Sequence, residues 1–284
     1  MGRCDWQNSR PDNIWALTVE AVELEMPIED NAQPAVTCIM PTANRRRLVR
    51  QAICYFQAQD YEPKELVIVD DGDEAVEDLA AGDARIRCVR SDRGLPLGAK
   101  RNLACREASH EIIIHWDDDD WMAPWRLSYQ VSKLLQADAD ICGLSKVFFY
   151  DPGIDQAWQY IYPAGERFWV YGATLCYRKA FWRENPFPHI NVGEDTRFVW
   201  SSRSERMLAL EDPRFYVAMI HAGNTSPKQL EDGRYRPCPA GEIRSLMGAE
   251  WQLHAEILRA GGKPISVCNS YPSANLSVGN DGRL

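Results

Sequence analysis

The chain has no apolar run approaching the ~20 residues that a membrane-spanning helix needs. It has no surplus of basic residues: 32 Lys and Arg stand against 41 Asp and Glu, a net charge of −9. A role in binding nucleic acid therefore gets no electrostatic support, although a local cationic pocket for an anionic ligand is compatible with that balance. The start of the chain, MGRCDWQNSR, is polar and carries an acid, so it lacks the form of a secretory signal. The nine cysteines never form a CxxC pair, which argues against a zinc site. Several fall at apolar strand or helix positions, where a free Cys behaves as a small hydrophobe. The expectation is a cytoplasmic protein in a reducing setting with no integral membrane segment. There is no internal repeat and no low-complexity tract.

What is present is an ordinary globular composition, 45% apolar and 26% charged over 284 residues. That length suits one domain with appendages or two small ones. Val36–Met40 is a short apolar strand closed by Pro41. Asn44 is placed to cap a helix whose apolar positions, Leu48, Val49, Ala52, Ile53 and Phe56, recur at helical spacing. Arg45, Arg46, Arg47 and Arg50 crowd the front of that helix, where cations are disfavoured; they form either a solvated patch or a face toward a ligand or an acidic loop. Leu66–Val69 and Arg85–Val89 read as further strands. Ser91–Asn102 is a loop entering a helix that carries Leu103, Ala104 and Ala108. A helix follows Pro124, with Leu127, Val131, Leu134 and Leu135 on one face. Strands alternating with helices in this way imply a largely parallel sheet.

The most informative stretch is Glu111–Trp121, EIIIHWDDDDW. A buried strand runs straight into four consecutive carboxylates, Asp117 to Asp120. Such a cluster is tolerable when solvated or when something positive sits among it, and a divalent cation is the simplest candidate. The strand in front, with Trp116 and Trp121 on either side, argues against a merely solvated turn. The strand ending at Val69 also leads into carboxylates, Asp70 and Asp71. In parallel sheets ligands bind beyond the carboxyl ends of the strands, and here two separate strands deliver aspartates there.

Later, Ile141–Tyr150 reads as one longer strand, Gly172–Tyr177 as another, and Gln156–Tyr171 is crowded with aromatics. Gly193-Glu194-Asp195-Thr196 opens a helix bearing Phe198, Val199 and Trp200; carboxylates there also suit the helix dipole. Phe215–Ile220 is a strand ending at His221. One amphipathic helix is expected from Ile243 to about Leu258, and a poorly ordered tail over Ser273–Leu284.

Five segments in this order resemble family 2 glycosyltransferases with the GT-A fold: VTCIMPTANR (Val36–Arg45), ELVIVDDGD (Glu65–Asp73), GLPLGAKRN (Gly94–Asn102), HWDDDDWMAP (His115–Pro124) and GEDTRFVW (Gly193–Trp200). The resemblance implies an α/β, Rossmann-like GT-A domain over residues 35–222, with a mainly parallel central sheet flanked by helices. Its nucleotide-binding half spans about 35–120 and its acceptor half about 121–222, between an N-terminal extension, 1–34, and a C-terminal loop and helix extension, 223–284. The implied activity is hexosyl transfer, inverting and metal-dependent (Mn2+ or Mg2+). The donor is a nucleotide-diphosphate sugar, expected to be UDP-linked. The acceptor is an unidentified carbohydrate, lipid or protein hydroxyl.

The same resemblance assigns residues. Pro41, Thr42, Asn44 and Asp71 contact the donor, Asp71 at its base or ribose. Asp117 and Asp119 match the family's DXD element: Asp119 binds the metal, and Asp118 or Asp117 lies near the ribose. Arg101, with Lys100, adds a cationic contact to the diphosphate. Asp195 is the catalytic base, and Glu194 assists in acceptor binding or shares that role. His221 is either a third metal ligand or a structural histidine. The aromatics of Gln156–Tyr171 either stack on sugar rings or form core. Asp120 is left as a cap for the next helix. Two rival readings remain open: a sugar-phosphate nucleotidyltransferase, which normally shows glycines in the loop that here reads PTANRRR, and a catalytically silent nucleotide-sugar-binding domain.

Overall fold

A computed structural model describes residues 33–201, 205–226 and 228–259. The expected N-terminal extension falls outside them except for its last two residues, and the expected tail over Ser273–Leu284 falls outside them entirely. The chain builds two sheets. The first half supplies β1 (Val36–Thr42), α1 (Arg46–Gln57), β2 (Lys64–Asp70), α2 (Glu77–Ala80), β3 (Ile86–Arg90), α3 (Leu97–Glu107), β4 (Ile112–His115) and β5 (Trp121–Met122). The second half supplies α4 (Arg126–Gln136), β6 (Ile141–Leu144), β7 (Lys146–Asp151), β8 (Gln156–Ile161), β9 (Cys176–Arg178), α5 (Lys179–Glu184) and α6 (Glu194–Ser201). It continues with β10 (Met207–Leu210), β11 (Tyr216–Met219), β12 (Tyr235–Cys238), α7 (Ala240–Met247) and α8 (Glu250–Arg259).

The seven-stranded sheet runs β10-β6-β9-β4-β1-β2-β3, parallel throughout except for β9. This is the α/β, mainly parallel architecture expected from the alternation of strands and helices. Its central strands are continuous apolar runs because both faces are covered: Ile39, Val67, Ile68, Ile113 and Ile114 are all fully buried. β1 pairs Thr42 with Asp70 on one side and Ile39 with His115 on the other. The carboxyl ends of β1, β2 and β4 therefore open at one edge, where their polar residues emerge. The smaller sheet runs β12-β8-β7-β11-β5. No helix among the described residues is long and apolar enough to cross a membrane.

Several local expectations are corrected. The single strand expected over Ile141–Tyr150 is two strands in different sheets. At Leu144 and Ser145 the backbone changes partners: the Leu144 carbonyl accepts from Tyr171 N–H (2.7 Å) and the Ser145 carbonyl from Tyr162 N–H (2.9 Å). The start of the expected strand Gly172–Tyr177 is a tight 3₁₀ turn, Gly172–Thr174. The single C-terminal helix is broken into α7 and α8 at Gly248, whose φ of +60° ends a helix cheaply only for glycine. Asn44 does not cap α1. Arg45 holds the cap position, and Asn44, itself at φ 55°, accepts from the backbone N–H of Asp73 (2.6 Å) and Glu74 (3.3 Å). Asp120 caps no helix either, since α4 begins after Trp125 with no side-chain cap. Strands β5, β10 and β12 are too short or too polar to announce themselves by alternation.

Candidate active site

At the carboxyl edge of the parallel sheet lies a cavity of about 500 Å3, lined by Pro41, Arg45, Arg101, Asp117 to Asp120, Glu194 and Asp195 together with an aromatic wall. Four of the donor-side candidates, Thr42, Asn44, Asp71 and Lys100, do not line it directly. Thr42 stands behind Asp118. Lys100 is tied to Asp71 (2.7 Å) and to the Thr42 carbonyl (3.2 Å), so it braces Asp71, which also accepts from Leu95 N–H (3.0 Å).

The four aspartates have different partners. Asp118 accepts from Thr42 Oγ1 (2.6 Å) and Arg45 Nη1 (2.8 Å). Burial pushes its carboxyl up to about 6, against the pull of Arg45. Asp119 meets Arg45 Nη1 (3.0 Å), His221 Nε2 (3.1 Å) and Asn224 Nδ2 (3.4 Å). Burial alone would raise it, but the hydrogen bond with His221 and the charge of Arg45 outweigh burial and hold it below the ordinary carboxylate range. Asp120 accepts from the Tyr216 hydroxyl and from Met219 N–H (2.8 Å). Burial first, then the charges of Asp119 and Asp117, lift it well above that range. Asp117 keeps about a quarter of its side chain exposed (26%) and faces Arg101 at 3.6 Å.

Asp117, Asp119 and Asp120 can each place one oxygen within 4.8 Å of the others. Oxygen donors of this kind suit Mn2+ or Mg2+. Both Asp120 oxygens are already engaged, which leaves Asp117 and Asp119 as the residues able to hold a cation, with His221 beside Asp119.

Arg101 connects this wall to the opposite one. Its guanidinium, 3% exposed, lies 3.3 Å from Glu194, contacts His115 Nδ1, and its Nε has no hydrogen-bond partner. Burial raises Glu194 to about 7, although Arg101 opposes the rise. His115 Nδ1 also lies 2.6 Å from the Gly172 carbonyl. Asp195 accepts from Thr196 N–H (2.6 Å) at the first turn of α6. It packs against Gly172 so closely that a Cβ there would fall 1.7 Å from Asp195 Oδ2.

The aromatics of Gln156–Tyr171 divide between core and cavity wall. Tyr160, Trp169 and Tyr171 line the cavity, and they are fixed by ring contacts with one another and with Phe149 and Tyr235 at 5.0–6.4 Å. Of the alternatives for the arginines at the front of α1, Arg45 takes the face toward an acidic loop, pairing with Asp118 and Asp119. Sequence reasoning missed Asn224, Tyr216 and the glycine beneath Asp195, none of which carries a sequence signal.

Comparison with known proteins identifies the family and the fold. The sequence pattern described as "Glycosyl transferase family 2" matches residues 37–190. A protein of Escherichia coli (strain K12) named as a colanic acid biosynthesis glycosyl transferase, WcaA, is 39% identical over 100 residues, 34% of this chain and 36% of its own. A GalNAc(5)-diNAcBac-PP-undecaprenol beta-1,3-glucosyltransferase of Campylobacter jejuni is 31% identical over 117 residues, 39% of this chain and 38% of its own. The chain thus spans well under half the length of these curated relatives. Among solved structures, Staphylococcus aureus TarS 1–349 with UDP-GlcNAc superposes at a TM-score of 0.54 and 17% identity, covering 67% of this chain and 60% of that one. The Pyrobaculum calidifontis mannosyltransferase PcManGT with GDP-Man and Mn2+ gives a TM-score of 0.51 at 18% identity, covering 81% and 74%. At such identities the likeness is one of fold.

Glu194 offers a check on the cavity's electrostatics. Its folded value of about 7 lies above the ordinary 4.5. Its contribution to stability is therefore complete below about 4.5 and is lost as pH rises through about 7. The loss amounts to at most about 3 kcal/mol. Glu194→Gln should flatten the decline in unfolding free energy across this window, measured by urea denaturation in EDTA. A decline as steep as in the wild type would contradict the assigned burial.

Proposed function

The chain belongs to glycosyl transferase family 2, and we propose that it moves a sugar from a nucleotide-diphosphate sugar to an acceptor hydroxyl with inversion at the anomeric carbon. The observation that carries this reading is the opposition of two carboxylate groups across one cavity. Asp117 and Asp119 come from the end of β4, and Asp195 comes from the start of α6, with Arg101 between the two walls. We assign the nucleotide-binding half to about 35–120 and the acceptor half to about 121–222 within a domain spanning 35–222.

On the donor side, Asp71, braced by Lys100, serves the base or ribose, and Asp118, braced by Thr42 and Arg45, serves the ribose. Pro41 lines the cavity beside them, and Asn44 shapes the adjoining loop. Asp117 and Asp119 would hold Mn2+ or Mg2+, with His221 as a third ligand. When bound, that ion supplies positive charge to offset the charge that develops on the departing diphosphate. Arg101 adds a fixed guanidinium to the same task.

On the acceptor side, Asp195 takes the proton of the acceptor hydroxyl as its oxygen bonds to the anomeric carbon. The bond from that carbon to the phosphate oxygen breaks on the opposite face. Glu194, pushed up to about 7 and paired with Arg101, supports acceptor binding. A UDP-sugar is the first donor to test. The chain matches only part of its curated relatives, so their acceptors do not carry over to it.

Three outcomes test the assignment. UDP with Mn2+ should raise the melting temperature of the wild type by mass action, and Asp119→Ala should lose the part of the shift that requires Mn2+. A full Mn2+-dependent shift in that variant would remove Asp119 from the metal site. Asp195→Asn should lower kcat by at least ~10²-fold while leaving the donor-induced shift unchanged; wild-type turnover would place the base elsewhere. Gly172→Ala should force Asp195 aside and lower kcat by about 10²-fold, again with donor binding intact. Unaltered turnover would mean that the carboxylate needs no such seat.

A further inference from the structure

Three cations line the cavity: Arg45, Arg101 and Lys228. Arg45 is paired with Asp118 and Asp119, and Arg101 with Asp117 and Glu194. Lys228 is different. Among the described residues it pairs with no carboxylate, although Asp195 and Asp232 line the same cavity. Its ammonium instead lies 5.7 Å from the ring centroids of both Phe149 and Tyr171. Cation–π contact of this kind is a weak attraction. It satisfies none of the three N–H donors that an ammonium carries.

The position of this charge matters. Tyr171 directly precedes Gly172, the residue against which Asp195 packs. Lys228 and the proposed base thus belong to one wall, while Arg45 is committed to the wall of aspartates and Arg101 is shared between Asp117 and Glu194. An anionic ligand entering a cavity rich in carboxylates is repelled over most of its surface. The aromatic wall with Lys228 is the exception, because it offers ring faces for a sugar and one uncompensated positive charge.

We propose that Lys228 seats an anionic substituent, a carboxylate or a phosphate, carried by the acceptor sugar, whose ring lies on the aromatic wall formed with Trp169 and Tyr171. The assignment of this anion to an acceptor rests on the glycosyl-transfer reading above. Neutralisation of that anion by Lys228 keeps its charge away from Asp195, which must remain ionised to accept a proton.

Calorimetric titration of the full chain, with and without UDP and Mn2+, tests this with glucose, glucuronate and glucose 6-phosphate. At least one anionic sugar should bind tenfold or more tightly than glucose, and which one does so identifies the anion as carboxylate or phosphate. Lys228→Met should bring the preference to within threefold, and Lys228→Arg should retain most of it. Equal binding of all three sugars, no binding of any, or a preference that survives Lys228→Met would overturn the proposal. So would a tenfold loss of UDP affinity in Lys228→Met without a change in sugar preference, because the ammonium would then serve the donor diphosphate. Failure of the glycosyl-transfer reading shows separately, as an absence of stabilisation of the wild type by UDP or UDP-sugars.

Discussion

Repulsion among carboxylates crowded at one edge of a sheet is the constraint to which the rest of the site answers. Asp117 to Asp120 leave the end of β4 within four residues, and Glu194 and Asp195 face them from α6. The fold distributes this charge by giving each carboxylate a different solution. Asp120 is lifted by burial and held by Tyr216 and Met219 N–H. Asp118 is braced by Thr42 and Arg45. Asp119 is kept ionised by His221 and Arg45. The remaining imbalance is what would draw a cation into the cavity. These solutions depend on strand register: Thr42, at the end of β1, reaches Asp118 only because β1 and β4 run parallel and side by side.

Much of the architecture was legible because it rests on strong periodic signals. The runs Val36–Met40, Leu66–Val69 and Ile112–Ile114 are apolar on both faces and became the central strands. The face of α1 carrying Leu48, Val49, Ala52, Ile53 and Phe56 is buried as its spacing implied. What was not legible depended on long-range partners. Nothing local in Ile141–Tyr150 says that the chain changes sheets at Ser145, because both halves are equally strand-like. The role of Asp120 is set by Tyr216 and Met219, nearly a hundred residues away. Asn44 looked like a helix cap because its chemistry suits one, yet a left-handed backbone aims its side chain at the loop after β2.

The second sheet explains why an aromatic-rich segment can be core and binding surface together. β7 and β8 pair antiparallel, and β12 covers β8, so Tyr160, Phe149 and Tyr235 pack edge to face with centroids 5.0–6.4 Å apart. Rings locked in this way lose little further freedom when a ligand settles on them, which lowers the entropic cost of binding. β12 comes from the chain beyond residue 222. The aromatic wall of the cavity is therefore completed by sequence outside the segment that the motifs define.

Arg101 shows how the two walls are made to act as one. A guanidinium with 3% exposure is expensive to bury, and removing either partner of such a pair leaves an uncompensated charge. Arg101 faces Asp117 at 3.6 Å and Glu194 at 3.3 Å, so a change of charge on the aspartate wall is felt directly by the residue next to Asp195. A cation held by Asp117 and Asp119 would draw negative charge away from Arg101, which would strengthen the hold of Arg101 on Glu194 and favour the ionised form of that acid. On the proposed reading, loading the aspartate wall and charging the wall of α6 would become one electrostatic event. The Nε of Arg101, buried between them, is the atom that lies 3.3 Å from Glu194, so the acid and the guanidinium would respond together.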